Sequence, residues 1–268
     1  MLRAGLIGYG TIGKNIAELI RSKQAGNIEL KTILVRNAEK AASAALPNCT
    51  ITADEELFFN QELDIVIEAA GHHAVELYGE KAFSVGSNLL ILSIGALADQ
   101  DLHESLQIAA DNAGKQLFIP SAAIAGLDRI ASGVVGEMEE ITLITRKPTK
   151  SWYGTIAEEK VDLTAITEPY CIYEGSAREA AKLFPESVNA SATLSLAGIG
   201  FEKTKVQVYI DPTIDRNVHT ILAKGCFGEV EIAVKNTPSK QNPKSSPIVA
   251  MSVAKVLKNL TAPVVVGL

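Results

Sequence analysis

Gly8-Tyr9-Gly10-Thr11-Ile12-Gly13 stands directly behind a short apolar run, Arg3–Ile7, and leads straight into a helix-like stretch, Ile12–Ser22. Three glycines at this spacing, between a strand and a helix, decide the fold. Each answers a physical need. Gly8 permits the tight turn, Gly10 has no side chain to hold a phosphate away from the backbone, and Gly13 lets the helix pack closely on the strand. The helix N-terminus offers open N–H groups and a partial positive charge to an anion. Gly8, Gly10, Thr11, Ile12 and Gly13 are therefore the expected contacts of a bound dinucleotide.

Outward from this motif the chain alternates. Strand-length apolar runs recur at Glu29–Val35, Asp64–Glu68, Asn88–Ser93 and Gln116–Ile119. Helix-like stretches separate them at Ala38–Ala45, His73–Ser84 and Leu102–Ala113. Asn37, Asp54 and Asp99 stand at N-cap positions. Asp64-Ile65-Val66-Ile67 is nearly all apolar, as a strand buried on both faces must be. Repeated βα units of this kind predict an α/β domain, a Rossmann-type doubly wound parallel sheet with helices on both sides.

After about Gly126 the period changes. Lys205–Ile210 and Glu229–Lys235 alternate polar with apolar residues, the mark of a sheet with one buried and one open face. Ser176-Ala177-Arg178-Glu179 reads as a capping box. Ser246-Pro247 opens a helix that runs to about Asn259. The division expected is a dinucleotide-binding domain over 1–121 and an α+β domain with an open mixed sheet over 122–246. Segment 247–268 is expected to return to the first domain.

Two further loops fall at strand ends, the edge where doubly wound sheets bind ligands. They are Glu68-Ala69-Ala70-Gly71-His72-His73 and Ser93-Ile94-Gly95-Ala96. Ala70 and Gly71 are small enough for a cofactor to lie against the backbone. Arg36 stands where an NAD enzyme usually carries an acid for the ribose 2′-OH. An arginine there pairs with a 2′-phosphate or stacks on adenine, so NADP is as well served as NAD; a solvated loop arginine is the plain alternative.

Composition narrows the partners. The chain has 268 residues, 47% hydrophobic, with a formal net charge of −6, which disfavours nucleic acid. Cys49, Cys171 and Cys226 form no metal or redox motif, so free thiols in a reducing compartment are expected. No apolar run approaches the ~20 residues of a membrane span, and the first residues lack the apolar core of a signal peptide. These features together predict a cytoplasmic protein with neither membrane nor metal.

Longer motifs fill the second half: Glu174–Ala181, Phe184-Pro185, Asn189, Leu196–Gly200, Asp211-Pro212, Arg216–His219, Gly225–Gly228 and Asn242–Ser246. With Gly8–Gly13, Glu68–His72, Ser121–Asp128 and Arg146-Lys147-Pro148, they resemble the L-aspartate dehydrogenase family over nearly the whole chain. The resemblance implies oxidation of L-aspartate with NAD or NADP to iminoaspartate, which hydrolyses to oxaloacetate and ammonia or feeds NAD synthesis. It implies a homodimer joined through the second sheet. It places the catalytic histidine at His219, with cofactor contacts at Ala123 and Asn189. There is one departure. The family often reads Ser-Gly-Ala-Ile-Gly-Gly where this chain has Ser121-Ala122-Ala123-Ile124-Ala125-Gly126; alanine would be strained wherever that loop requires positive φ.

Histidine suits the proton transfers of amine oxidation, because its ordinary pKa of ~6.5 lies near working pH. His72 and His73 belong to the cofactor edge, and His103 reads as a surface residue. His219 lies in the polar-faced second half. A strand histidine is more often structural, and the resemblance reverses that reading. Two substrate carboxylates need donors, for which Lys244, Arg178 and Lys203 are candidates, each also readable as a solvated cation. Lys244 stands out beside the rigid Asn242-Pro243 and a helix start. Asn189 and Thr193 share a helix face and are candidate substrate contacts; for Thr193 a helix-surface residue is the plain alternative. A two-domain reductase of the homoserine dehydrogenase or dihydrodipicolinate reductase type shares the architecture, as would a dinucleotide-binding sensor without turnover.

Overall fold

The computed structural model describes residues 1–38, 46–184, 188–239, 242 and 245–267. It divides into two compact units, Met1–Ala122 with Pro247–Leu268, and Ala123–Ser246.

The first unit is built on a six-stranded parallel sheet in the order β3-β2-β1-β4-β5-β6. The strands are β1 (Leu2–Ile7), β2 (Ile28–Leu34), β3 (Thr50–Thr52), β4 (Ile65–Glu68), β5 (Asn88–Ile91) and β6 (Leu117–Phe118). Strand order reverses between β1 and β4, so the crevice of this sheet opens at their carboxyl ends. All four residues of β4 are buried, as expected for a central strand covered on both faces. Sequence reading found these strands except β3, whose three residues are too short to show a period.

Helices α1 (Thr11–Arg21), α2 (Glu55–Phe59), α3 (His72–Ser84) and α4 (Gln100–Ala113) flank the sheet. Asp54 and Asp99 cap α2 and α4 by accepting from the Leu57 and Leu102 amides. The stretch expected to follow Asn37 falls mostly on residues 39–45, outside the described residues. Helix α1 buries Ile16, Ala17 and Ile20. The C-terminal helix Pro247–Asn259 packs Ala250, Val253, Ala254 and Leu257 into the same core. Fully burying Val253 and Leu257 stabilises this docking by roughly 1.5–3 kcal/mol each. Thr261 Oγ1 accepts from the Asn27 amide, tying the chain end to the turn before β2. The tail Val264–Val266 is largely exposed.

The second unit carries a five-stranded mixed sheet in the order β11-β10-β7-β9-β8. These are β7 (Met138–Lys147), β8 (Tyr170–Ser176), β9 (Lys205–Ile210), β10 (Val218–Gly225) and β11 (Gly228–Lys235). Only β7 and β9 pair in parallel. Helices α5 (Leu127–Val134), α6 (Ile156–Lys160), α7 (Ala177–Leu183) and α8 (Val188–Ala197) belong to this unit. Register places Ile141, Leu143, Val206, Val208, Ile221 and Ala223 on one face, all buried. A Cβ at Gly198 would lie 2.4 Å from Ile141 Cδ1, which shows how closely the chain beyond α8 approaches that face. The other face, with Lys205, Gln207, Tyr209, Thr220, Leu222 and Lys224, is more open.

Candidate active site

The candidate cofactor residues of the first unit lie along the carboxyl edge of its parallel sheet. Gly8 has φ +95, and a Cβ there would lie 2.6 Å from the Ala69 carbonyl oxygen and 2.9 Å from Ala70 Cβ. Its missing side chain therefore also admits the loop after β4. A Cβ at Gly13 would meet the Gly8 carbonyl oxygen at 2.3 Å, so this glycine lets α1 start against the turn. Gly10 is different. It is the N-cap of α1 with ordinary extended dihedrals, and a Cβ there would meet nothing within 4 Å. Space, not backbone strain, is what glycine provides here. No side chain caps α1 and no acid stands in its first turn, so the amide end around Thr11 and Ile12 is open to an anion.

Arg36 is exposed just beyond β2, the strand beside β1. Ala70 and Gly71 follow β4; their amides donate to the buried Glu68 carboxylate, and Gly71 has φ +122. They offer a ligand their small surfaces rather than their N–H groups. His72 is half-buried in the first turn of α3, and exposed His73 contacts Glu76 at 3.1 Å. His103 is half-buried on α4.

The mixed-sheet unit carries its own set of candidate residues. His219 on β10 pairs across the sheet with Thr145 on β7, and its Nδ1 lies 3.1 Å from Thr145 Oγ1. The imidazole is 6% exposed. Burial pushes its pKa down to about 4, and the Lys147 ammonium acts in the same direction. Lys147 shares this sheet face, since side chains two apart on a strand point the same way. Burial therefore keeps the ring neutral near pH 7, with Nδ1 facing the Thr145 hydroxyl.

The segment feeding His219 is anchored just before it. Arg146 pairs with buried Asp211 at 2.5 Å. Burial raises the Asp211 pKa, but bonds from the Thr213 hydroxyl and amide, with Arg146, outweigh it and leave the carboxyl below its ordinary value. Asp211-Pro212 and Arg146-Lys147-Pro148 thus meet as one anchor, 65 residues apart in sequence.

Ala123 is held by Asn236, whose side-chain amide donates to the Ala123 carbonyl at 2.8 Å. The departure from the family pattern has a structural consequence at one of its two positions. Ala122 has φ +48, a left-handed conformation that strains alanine by about 1–2 kcal/mol, whereas Ala125 is not among the positive-φ residues. Asn189 is exposed in the first turn of α8. Thr193 is buried, not a helix-surface residue, and its hydroxyl donates to the Asn189 carbonyl at 2.7 Å. Arg178 is engaged with Glu202 and lies over Phe201, and Lys203 is exposed. Lys244 lies outside the described residues. Sequence reading missed Thr145, Lys147 as a neighbour of His219, and Asn236; cross-strand partners have no sequence signature. Among the described residues no cluster of three His, Cys, Asp or Glu could hold a metal ion.

An open glycine loop at the carboxyl edge of a parallel sheet defines a dinucleotide-binding fold. Residues 8–120 match the homoserine dehydrogenase NAD-binding domain family, and residues 128–260 match the aspartate dehydrogenase C-terminal family. The L-aspartate dehydrogenase of Ralstonia pickettii is 37% identical, covering 97% of each chain. That of Methanosarcina barkeri is 38% identical over the whole of both. The crystal structure of aspartate dehydrogenase from Thermotoga maritima matches with a TM-score of 0.81 and 27% identity over both full chains. A hyperthermophilic archaeal homoserine dehydrogenase in complex with NADPH matches at the level of fold, with a TM-score of 0.63 and 14% identity over 98% of each chain. The chain belongs to the L-aspartate dehydrogenase family.

Proposed function

We propose that the chain oxidises L-aspartate to iminoaspartate with NAD or NADP, and that water converts the imine to oxaloacetate and ammonia. The observation that carries this reading is the buried, neutral His219 with Nδ1 on Thr145, in a chain of this family. The glycine loop fits a dinucleotide, because Gly10 leaves open space at an uncapped helix end. Gly8, Gly10, Thr11, Ile12 and Gly13 hold the pyrophosphate, Arg36 meets the adenosine ribose, and Ala70, Gly71, Ala123 and Asn189 complete the cofactor contacts. When bound, the nicotinamide accepts the hydride leaving the substrate Cα.

His219 moves the protons. Its Nε2 takes a proton from the substrate amine and returns it to solvent, then takes a second from the water that attacks the imine and passes that one to the departing ammonia. A pKa of about 4 keeps the ring unprotonated before substrate arrives. The two carboxylates of bound aspartate favour imidazolium and raise its basicity toward working pH. Lys147 on the same sheet face, Lys244 and Asn189 are the donors we assign to those carboxylates, with the Thr193 hydroxyl beneath Asn189. The enzyme is read as cytoplasmic, in keeping with three free thiols, and as a homodimer that covers the open face of the mixed sheet.

The test is oxidation of NADH or NADPH with oxaloacetate and ammonia, using 2-oxoglutarate and pyruvate as controls. Turnover that requires both oxaloacetate and ammonia is expected. Turnover with a different keto acid, or without ammonia, overturns the substrate assignment. Tight cofactor binding without turnover supports a sensor instead.

A further inference from the structure

Glu68 ends β4 at the switch point of the parallel sheet and is 1% exposed. In register it sits between Ile7, the residue before the glycine loop, and Ile91 at the end of β5. Its carboxylate accepts five hydrogen bonds. Oε1 takes the Ala70 amide at 2.7 Å, the Gly71 amide at 2.8 Å and the Ser93 hydroxyl at 2.8 Å. Oε2 takes the Leu92 amide at 3.2 Å and the Ser93 amide at 3.0 Å. One side chain thus pins the loop after β4 to the segment after β5. The Ala69 amide donates to the Ile7 carbonyl at 2.8 Å, and the side-chain-free Gly8 lies against Ala69 and Ala70. Three consecutive strand ends are fixed against one another around this carboxylate.

A dinucleotide crosses such a sheet at the reversal of strand order, with its adenosine half toward β1 and β2 and its nicotinamide half toward β4 and β5. The glycine loop and Arg36 are on the first side. The segments held by Glu68 are on the second. We propose that Glu68 is a positioning residue that fixes the bed of the nicotinamide half by satisfying the backbone amides of both loops. The proposal rests on the reading that a dinucleotide lies along this edge. Without the carboxylate, buried amides would seek other acceptors, and the two loops would separate from each other while the β1 turn and α1 kept their own contacts.

Glu68→Gln keeps the shape but turns one acceptor oxygen into an NH2 group that faces N–H donors. Ser93→Ala removes only the hydroxyl bond. Each variant is titrated with NAD(P)H, read by nicotinamide fluorescence, and with ADP or its 2′-phosphate, read by calorimetry. For Glu68→Gln the dinucleotide Kd is expected to rise about tenfold or more, with ADP affinity within about twofold of wild type. For Ser93→Ala a rise of about threefold is expected with the same split. Retained ADP binding also shows that the variant is folded, and if Glu68→Gln does not fold, Ser93→Ala decides. Equal losses for both ligands, or no loss for either, overturn the positioning role and leave the cofactor reading standing. Failure of the wild type to bind either ligand overturns both.

Discussion

Replacing His219 with glutamine and following stability against pH isolates the charge of one buried ring. The ordinary histidine pKa of 6.5 falls to about 4 in the folded chain, because burial, reinforced by Lys147, disfavours imidazolium. At 1.36 kcal/mol per unit, the full linkage is about 3 kcal/mol. Its sign follows from which state binds the proton first. The unfolded chain protonates near the ordinary value and the folded chain only near the depressed one. The stability contribution is complete above about pH 6.5, is lost as pH falls toward about 4, and changes no further below that. Between about pH 7 and about pH 5 the loss amounts to about 2 kcal/mol. Urea unfolding of wild type and His219→Gln across that range gives the two curves. Losing the Thr145 bond offsets the variant by an amount independent of pH, and titrating carboxylates act alike on both proteins. The wild-type curve should therefore fall more steeply by about 2 kcal/mol over this range. Parallel curves would refute the neutral buried ring and, with it, the basis for His219 as a proton acceptor.

Four other outcomes follow from the geometry. Gly13→Ala forces a Cβ to 2.3 Å from the Gly8 carbonyl and should destabilise the protein by about 1–3 kcal/mol in urea unfolding. Gly10→Ala should leave stability within about 0.5 kcal/mol but weaken dinucleotide binding about tenfold or more, because its Cβ occupies the ligand's space. Thr145→Val removes the Nδ1 partner at nearly constant volume, so kcat should fall roughly tenfold with dinucleotide Kd unchanged, and Thr145→Ser should restore most of it in steady-state assays. Arg36→Ala should raise KM for NADP about tenfold more than for NAD, and equal effects would remove Arg36 from reading the 2′ position.

The features legible in sequence were those whose causes are local. Gly8 needs positive φ, Gly13 needs room for a helix start, and Pro247 fits the first turn of its helix; each is a requirement of a few neighbouring residues. Strand β4 announced itself because burial on both faces leaves only apolar residues. Strands β7 and β8 did not. Glu139 and Glu140 near the start of β7, and the bulge between Cys171 and Tyr173 on β8, break the period that would have marked them. Thr193 was open to being a surface residue because its helix α8 is buried on nearly all sides and shows no polar face.

By itself the sequence determined the parallel sheet, the glycine turn at its first strand and the change to an open mixed sheet, while His219 stood out only through the family resemblance. Tertiary structure alone decided what surrounds those residues. Thr145 meets His219 across 74 residues only because β7 and β10 pair in one register. Glu68 reaches Ser93 across 25 residues only because β4 and β5 end side by side. Register and burial are properties of the assembled sheet, set by packing summed over many residues, and a one-residue slip would turn each of these side chains to the opposite face.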